Sequence, residues 1–284
     1  MKQASAPEQT RISPPICLTV AGFDPSSGAG ITADLKTFAA HAVYGVAAIT
    51  ALTVQSTTGV RAVEPVAPSL LRETLECLAA DVTLDAVKIG MLGTAGVVAE
   101  VERFLRTHPE LRDRTVLDPV CRSSSGAALL DQEGVALMVE RLLGLVGWVT
   151  PNVDELAVLT GSPVVGRHEV PTLAERLARL AASAGNPALR IVVTGGHLDR
   201  PDDYIHIDGK GSWVFGVRVQ TTSTHGTGCA FSSALAAGLA NGLAGIAAAF
   251  AAKEYVTEAL RAAVPIGRGH GPMHHLFALD PVRR

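Results

Sequence analysis

Apolar and polar residues along this chain fall into blocks whose period changes regularly. Ile16-Cys17-Leu18-Thr19-Val20-Ala21-Gly22 is a short apolar run, the pattern of a buried strand. It empties into Phe23-Asp24-Pro25-Ser26-Ser27-Gly28-Ala29-Gly30, a cluster of turn formers, and Ile31 to His41 then has helical spacing. Val46 to Val54 predicts a second strand, followed by Gln55 and a polar loop from Ser56 to Gly59, and Val60 to Val66 a third. Ser69 to Ala80 reads as a helix capped by Ser69, and Ala86 to Gly90 as a strand ending at Met91. The spacing predicts helices over 95–106 and 132–145 around a strand from Thr115 to Val120. Trp148-Val149-Thr150 and Arg190 to Thr194 are further strands, stopping at Pro151-Asn152 and at Gly195-Gly196-His197, with helices from Asp154 and over 172–182. Tyr204 to Ile207 and Ser212 to Phe215, joined by Asp208-Gly209-Lys210-Gly211, predict a hairpin; a last helix spans 246–264.

Apolar strands alternating with helices mean a mostly parallel sheet covered on both faces. With no linker and no repeat, residues 16–284 read as one α/β domain behind a tail at 1–15. In such sheets ligands collect at the carboxyl ends of the strands. The expected crevice residues are therefore Gly22, Gln55, Met91, Asp118 with Val120, Asn152, Gly195 with Gly196, and Gly226 to Cys229.

The last of these stretches carries the most chemistry. Val219-Gln220-Thr221-Thr222-Ser223 opens with β-branched residues, Thr224-His225-Gly226-Thr227-Gly228 is a glycine turn, and Cys229 begins an alanine-rich helix, so the order predicts strand, turn, helix. The first N–H groups of that helix lack intrahelical partners and make an anion site. Cys229, in the first turn, is expected to be a thiolate favoured by the dipole; the plain alternative is a small buried hydrophobe. An anion cradle beside an activatable side chain suits phosphoryl transfer.

Composition narrows the partners. Of 284 residues, 48% are hydrophobic and 18% charged, and the net charge is −3. That balance, with no Lys/Arg run, argues against nucleic acid. Cys17, Cys77, Cys121 and Cys229 have neither disulfide nor zinc spacing, which fits a reducing compartment, and no segment predicts a signal peptide or membrane span. A cytoplasmic protein acting on small molecules is expected.

Several motifs have two readings. Gly28-Ala29-Gly30-Ile31-Thr32-Ala33 fits a loose dinucleotide fingerprint, but Gln55 stands near where an acidic residue would be required. A Walker A loop is absent, since Gly209-Lys210-Gly211 lacks its other elements. Asn152-Val153-Asp154-Glu155 is either a Mg²⁺ water-shell holder or a helix cap. His270, His274 and His275 are loop residues more naturally than metal ligands. Asp34, near a crevice turn, could accept hydrogen bonds from an aminopyrimidine, and the Gln55 carboxamide suits a heterocycle edge.

Ala21 to Gly30, Ala33 to Thr37, Ile49 to Gln55, Lys88 to Leu92, Asp118-Pro119-Val120, Thr150-Pro151-Asn152, Gly195-Gly196-His197 and Thr224 to Cys229 occur together in order. As a set, covering about 16–277, they resemble the ribokinase-like superfamily, and closely the hydroxymethylpyrimidine/phosphomethylpyrimidine kinases of thiamine biosynthesis. The resemblance implies a three-layer sandwich, ATP and Mg²⁺ as cofactors, and a homodimer. It implies phosphorylation of 4-amino-5-hydroxymethyl-2-methylpyrimidine and then of its monophosphate. By that likeness Gly22, Ala29, Asp34, Gln55, Met91 and Val120 line the pyrimidine pocket. Cys229 stands where most of the superfamily has an aspartate base, and Gly226, Thr227 and Gly228 hold the transferring phosphoryl group. Asn152, Thr194 and Gly196 fall at the nucleotide, and Asp118 and Glu155 at the metal.

The chain departs from the family pattern at Thr194, where a lysine is usual, and after Val120; Arg122 is a candidate to restore the lost charge. Pyridoxal kinase is the alternative on the same fold, and a catalytically silent pyrimidine sensor the alternative of another class.

Overall fold

The computed structural model describes residues 13–123, 126–163 and 166–279. The expected tail at 1–15 therefore lies outside the described residues up to residue 12; the carbonyl of Pro15 already accepts the Tyr44 N–H at 2.8 Å, at the entry to the sheet.

Strand β1 (Ile16–Phe23) pairs in parallel with β2 (Tyr44–Ser56) on one side and β4 (Ala86–Ile89) on the other. Strands β5 (Thr115–Leu117), β6 (Trp148–Val149) and β7 (Arg190–Val193) extend the parallel run. Three antiparallel ladders finish the edges: β3 (Gly59–Pro65) on β2, and β8 (Asp203–Ile207) with β9 (Lys210–Val214) beyond β7. Among the described residues these form one sheet in the order β3-β2-β1-β4-β5-β6-β7-β8-β9.

Neighbouring residues on each inner strand face opposite layers, because side chains alternate across a sheet. Leu18, Val87, Leu117, Ile191 and Val193 enter one core, with α2 (Pro68–Asp81), α3 (Ala95–Thr107), α4 (Gln132–Leu137), α5 (Val153–Thr160) and α6 (Val170–Ser183) on that face. Cys17, Ala86, Val116 and Val192 enter the other, under α1 (Gly30–Ala40), α7 (Thr227–Ala240) and α8 (Gly245–Arg261). The expected three-layer sandwich is thus the observed one. Helix α7 is buried on all sides from Ala230 to Ala240, and its alanines let it lie close to the sheet beneath α8.

Some local expectations need correction. Residues 219–223 form no strand; β9, the edge strand, ends at Val214, and the chain leaves the sheet with Phe215 and Val217 exposed. β-Branched residues make a strand only where a neighbour offers a ladder. Helix α2 starts at Pro68, with Ala67 rather than Ser69 as its cap, because proline already has the φ of a first helical turn and no N–H to satisfy. The helix expected over 132–145 is α4 followed by a π-turn at Met138–Leu142. The β8–β9 turn is only Asp208-Gly209, both at positive φ, so Lys210 and Gly211 belong to the strand.

The strand order reverses at β1, whose sequence neighbour β2 lies on one side and β4 on the other. In open α/β sheets such a switch point is where a ligand crevice lies, here beyond the carboxyl ends of β1 and β4.

Candidate active site

The N-terminus of α7 lies at this crevice. Gly226 is its N-cap, at φ +78° with no side-chain cap. A Cβ there would stand 1.8 Å from the carbonyl oxygen of Gly28, so only glycine lets this turn touch the β1–α1 loop. A Cβ on Gly228 would meet nothing within 4 Å. The turn is locked on one side and open on the other, and the first-turn N–H groups of Thr227, Gly228 and Cys229 have no partner inside the helix. We expect Gly226→Ala to lower kcat about 100-fold or more by misaligning these donors. Gly228→Ala should melt like the wild type but lose affinity for the phosphoryl donor. Thermal melts run beside steady-state kinetics check both; equal melting losses in the two variants would contradict this assignment.

On the apolar side, two of the residues named from the sequence come together. Met91 and Val120 pack in one small cluster with Ala51, Leu129 and Val63. The Met91 sulfur lies 2.9 Å from where a Gly22 Cβ would be, so the glycine admits the thioether against β1. Thr50 donates its hydroxyl to the Met91 carbonyl at 2.6 Å. Ala29 enters through its backbone, donating to Asp24 Oδ2 at 2.9 Å.

Gln55 lies within β2 rather than after it, paired with Val60. The ladder shifts register between Val54 and Gln55, and such a bulge re-aims a side chain. The carboxamide reaches His225, Nε2 to Nε2, at 3.1 Å.

Asp34 does not fit its expected role. It is fully buried, with both carboxylate oxygens 3.0 Å from Lys88 Nζ and with hydroxyl donors Thr19 at 2.6 Å and Ser233 at 2.8 Å. Helix α1 turns Asp34 to the sheet and not to the crevice, so it recognises a lysine and not a heterocycle. Lys88 is the residue that sequence reasoning missed. A lysine inside the four-residue buried strand Ala86-Val87-Lys88-Ile89 was the available signal, because a fully buried ammonium requires a partner. Lys88 also lies 4.0 Å from Asp118 Oδ2, which accepts from Ser232 at 3.0 Å.

This buried cluster underlies Cys229 and corrects the expected thiolate. Burial pushes the Cys229 thiol up to about 12; Lys88 opposes the rise, while Asp118 and Asp34 add to it. The helix terminus is real, but burial first, with the two carboxylates behind it, favours the protonated form against the pull of Lys88.

Asn152 and Glu155 form a capping box at the start of α5. Asn152 Oδ1 accepts from the Glu155 N–H at 2.9 Å, and Glu155 Oε2 accepts from the Asn152 N–H at 2.8 Å. The cap reading is therefore realised, and it does not exhaust Glu155. Burial first, and Asp118 second, hold the Glu155 carboxyl well above its usual range. Asp118 is also raised, chiefly by burial, against the pull of Lys88 and Ser232. Two buried carboxylates that disfavour each other's charge are a donor set that a hard cation would relieve. Among the described residues no cluster of three or more His, Cys, Asp or Glu side chains has metal-binding geometry, the C-terminal histidines included.

Thr194 bridges to Asn152 at the ends of β7 and β6. After it, Gly195 is wedged against the Asp202 carbonyl, while a Cβ on Gly196 would meet nothing within 4 Å. The Arg218 guanidinium donates to the carbonyls of Gly196, Leu198 and Asp199. A cation therefore sits on this loop although Thr194 supplies none; Arg122 is exposed on the loop after β5, bridged to Ala128.

The fold, a mostly parallel nine-stranded sheet between two helical layers, places the chain in the ribokinase-like class of small-molecule kinases to which its solved relatives belong. A family model for phosphomethylpyrimidine kinase matches residues 24–274, and the chain belongs to that family. It is 42% identical over 266 residues to a hydroxymethylpyrimidine/phosphomethylpyrimidine kinase from Rhizobium meliloti, covering 92% of this chain and 96% of that one. It is 40% identical over 268 residues to a thiamine biosynthesis bifunctional protein from Geobacter sulfurreducens, covering 94% of this chain but only 53% of that longer protein. Among solved structures, an ADP complex of Bacillus subtilis pyridoxal kinase superposes with a TM-score of 0.83 at 30% identity, covering 94% and 99% of the two chains.

Proposed function

We propose that the protein transfers the terminal phosphoryl group of ATP to the hydroxymethyl oxygen of 4-amino-5-hydroxymethyl-2-methylpyrimidine, and then to the resulting monophosphate. The observation that carries this reading is the α7 turn, closed against Gly28 at Gly226 and open at Gly228 beside Cys229. Phosphoryl transfer needs an in-line arrangement and neutralised charge more than covalent help. The N–H groups of Thr227, Gly228 and Cys229 hold the equatorial oxygens of the moving group. Gln55 reads the heterocycle edge, and Gly22, Ala29, Met91 and Val120 form the slot around its ring. Cys229 takes the hydroxyl proton only as its thiolate, the minor form at rest; its own thiol proton leaves first to solvent, so the transfer comes late.

Asn152, Thr194 and Gly196 lie toward the nucleotide, with Arg218 bracing the loop below. Glu155 and Asp118 would hold Mg²⁺, which when bound neutralises phosphate charge. Family likeness also supports a homodimer, and the exposed Ile49, Leu52 and Val54 on β2 give it an apolar surface. Four free cysteines support a cytoplasmic setting; among the described residues no helix is long and apolar enough to cross a membrane.

The test is a product assay with Mg²⁺-ATP, offering the pyrimidine alcohol, its monophosphate and pyridoxal separately. Diphosphate formed from the first two is the expected result. Turnover of pyridoxal alone, which the superposition on a pyridoxal kinase makes the relevant rival, would overturn the substrate. No turnover of any of the three would leave the sensor reading.

A further inference from the structure

Three polar side chains far apart in sequence meet where the β1–α1 loop, the β2–β3 hairpin and the α7 turn converge. His225 Nε2 lies 2.8 Å from Asp24 Oδ2 and 3.1 Å from the Gln55 amide nitrogen. Both members of the pair are well buried, with side chains 12% and 5% exposed. Asp24 is itself anchored by the N–H groups of Ser26, Gly28 and Ala29 and by the Ser26 hydroxyl. Gly28 makes room for the imidazole, since a Cβ there would stand 2.3 Å from His225 Cδ2. The ring is thus held in one place.

Counting hydrogens then fixes the amide. Burial works to raise the Asp24 carboxyl, but the His225 and Ser26 hydrogen bonds overcome it and bring it down to about 2. Asp24 is therefore a carboxylate that can only accept, so the shared hydrogen sits on His225 Nε2. An N–H cannot accept from the Gln55 NH₂, whereas the amide oxygen can share that hydrogen. The two orientations of a carboxamide occupy the same volume, so the His225 proton selects the one with oxygen toward His225. The NH₂ then turns to Thr53 Oγ1, 3.3 Å from the amide's other terminal atom. Thr53 can accept there because its own hydrogen goes to the Phe23 carbonyl at 3.0 Å. Every donor in the chain has an acceptor only in this arrangement.

We propose that His225, held by Asp24, is a specificity-determining positioning residue: it orients the Gln55 amide so that its oxygen lies on the side of the α7 turn. The inference rests on the reading of Gln55 as the group that meets the heterocycle. In the aminopyrimidine the exocyclic amine sits on the ring carbon next to the one bearing the reacting hydroxymethyl group. With that hydroxymethyl at Gly226 to Cys229, the amine faces the His225 side and finds an acceptor, while the neighbouring ring nitrogen finds the NH₂. Pyridoxal carries an aldehyde at the corresponding carbon, which brings oxygen against oxygen. A carboxamide read at both atoms discriminates by such pairing. His225 thus selects between two substrates without touching either.

The test compares kcat/KM for the aminopyrimidine alcohol and for pyridoxal in four proteins: wild type, His225→Leu, Gln55→Ala and the double variant. Freed to turn, the amide should lose selectivity, and His225→Leu should lower the aminopyrimidine-to-pyridoxal ratio by about tenfold or more. KM for ATP should stay within about twofold, since the residue acts through Gln55. In the Gln55→Ala background the same replacement should leave the ratio unchanged, the signature of two residues acting as one. Asp24→Asn, which preserves shape while letting the histidine change tautomer, should shift the ratio in the same direction even if His225→Leu folds poorly. An unchanged ratio in both single His225 and Asp24 variants, or an equal change without Gln55, overturns the proposal and leaves the kinase reading intact. A wild type with no preference for the aminopyrimidine overturns both.

Discussion

Replacing Lys88 with methionine is expected to lower the free energy of unfolding by about 3–5 kcal/mol, the usual consequence of removing one member of a buried ion pair. Lys88 and Asp34 have side chains with no exposed surface, and two hydroxyl donors on Asp34 cannot replace an ammonium. The cost arises from the carboxylate left behind, so adding Asp34→Leu to Lys88→Met should recover most of it. Burial alone would lower the Lys88 ammonium, but the attraction of Asp34, with Cys229 and Asp118, holds it above the ordinary lysine range. A raised folded value contributes stability that is fully present below the unfolded value and fades only as pH climbs through the folded one. The deficit of the single variant should therefore be the same from pH 6 to pH 9. Urea unfolding of the two variants at both ends of that range measures it. A deficit below about 1 kcal/mol would mean that the pair is not a closed, water-free contact.

The same pair shows where sequence reasoning reached and where it stopped. Listing the residue after each apolar strand places Gly22, Met91, Val120, Asn152 and Gly196 along the carboxyl edge of the parallel strands, because the sheet itself imposes that geometry. Pairing is different. Lys88 and Asp34 are 54 positions apart, and nothing local says that a helix acid and a strand lysine face each other through the core. Asp34, read by its distance from a turn, was thereby assigned to a ligand. Cys229 failed in a related way: the helix start was legible, but the two carboxylates beneath it come from α1 and from the end of β5. The β-branched run from Val219 to Ser223 had strand propensity and no neighbour. His225 and Asp24 were visible as letters in two glycine-rich turns, and only the contact between those turns gives them work.

Cys229→Ala is expected to lower kcat by about 10²–10⁴-fold, the range for loss of a positioned proton acceptor. KM for ATP should change little, because the backbone donors of the turn survive the substitution. The resting state of the thiol gives a second readout. With the thiol pushed up to about 12, its thiolate fraction at pH 8 is about 10⁻⁴ in the metal-free protein. Alkylation of Cys229 by iodoacetamide, followed by peptide mass analysis, should then climb about tenfold per pH unit from 7 to 9 with no plateau, because each unit multiplies the thiolate tenfold. A plateau near neutrality would restore the thiolate that the helix terminus alone predicts. It would mean that Lys88 and the helix terminus outweigh burial and the two carboxylates at the sulfur. A rising rate together with a large loss in Cys229→Ala would mean that the thiol gives up its own proton, and becomes an acceptor, only when the phosphoryl group and its counter-charges arrive. Proton transfer would then follow bond cleavage rather than prepare it, as a loose phosphoryl-transfer transition state allows.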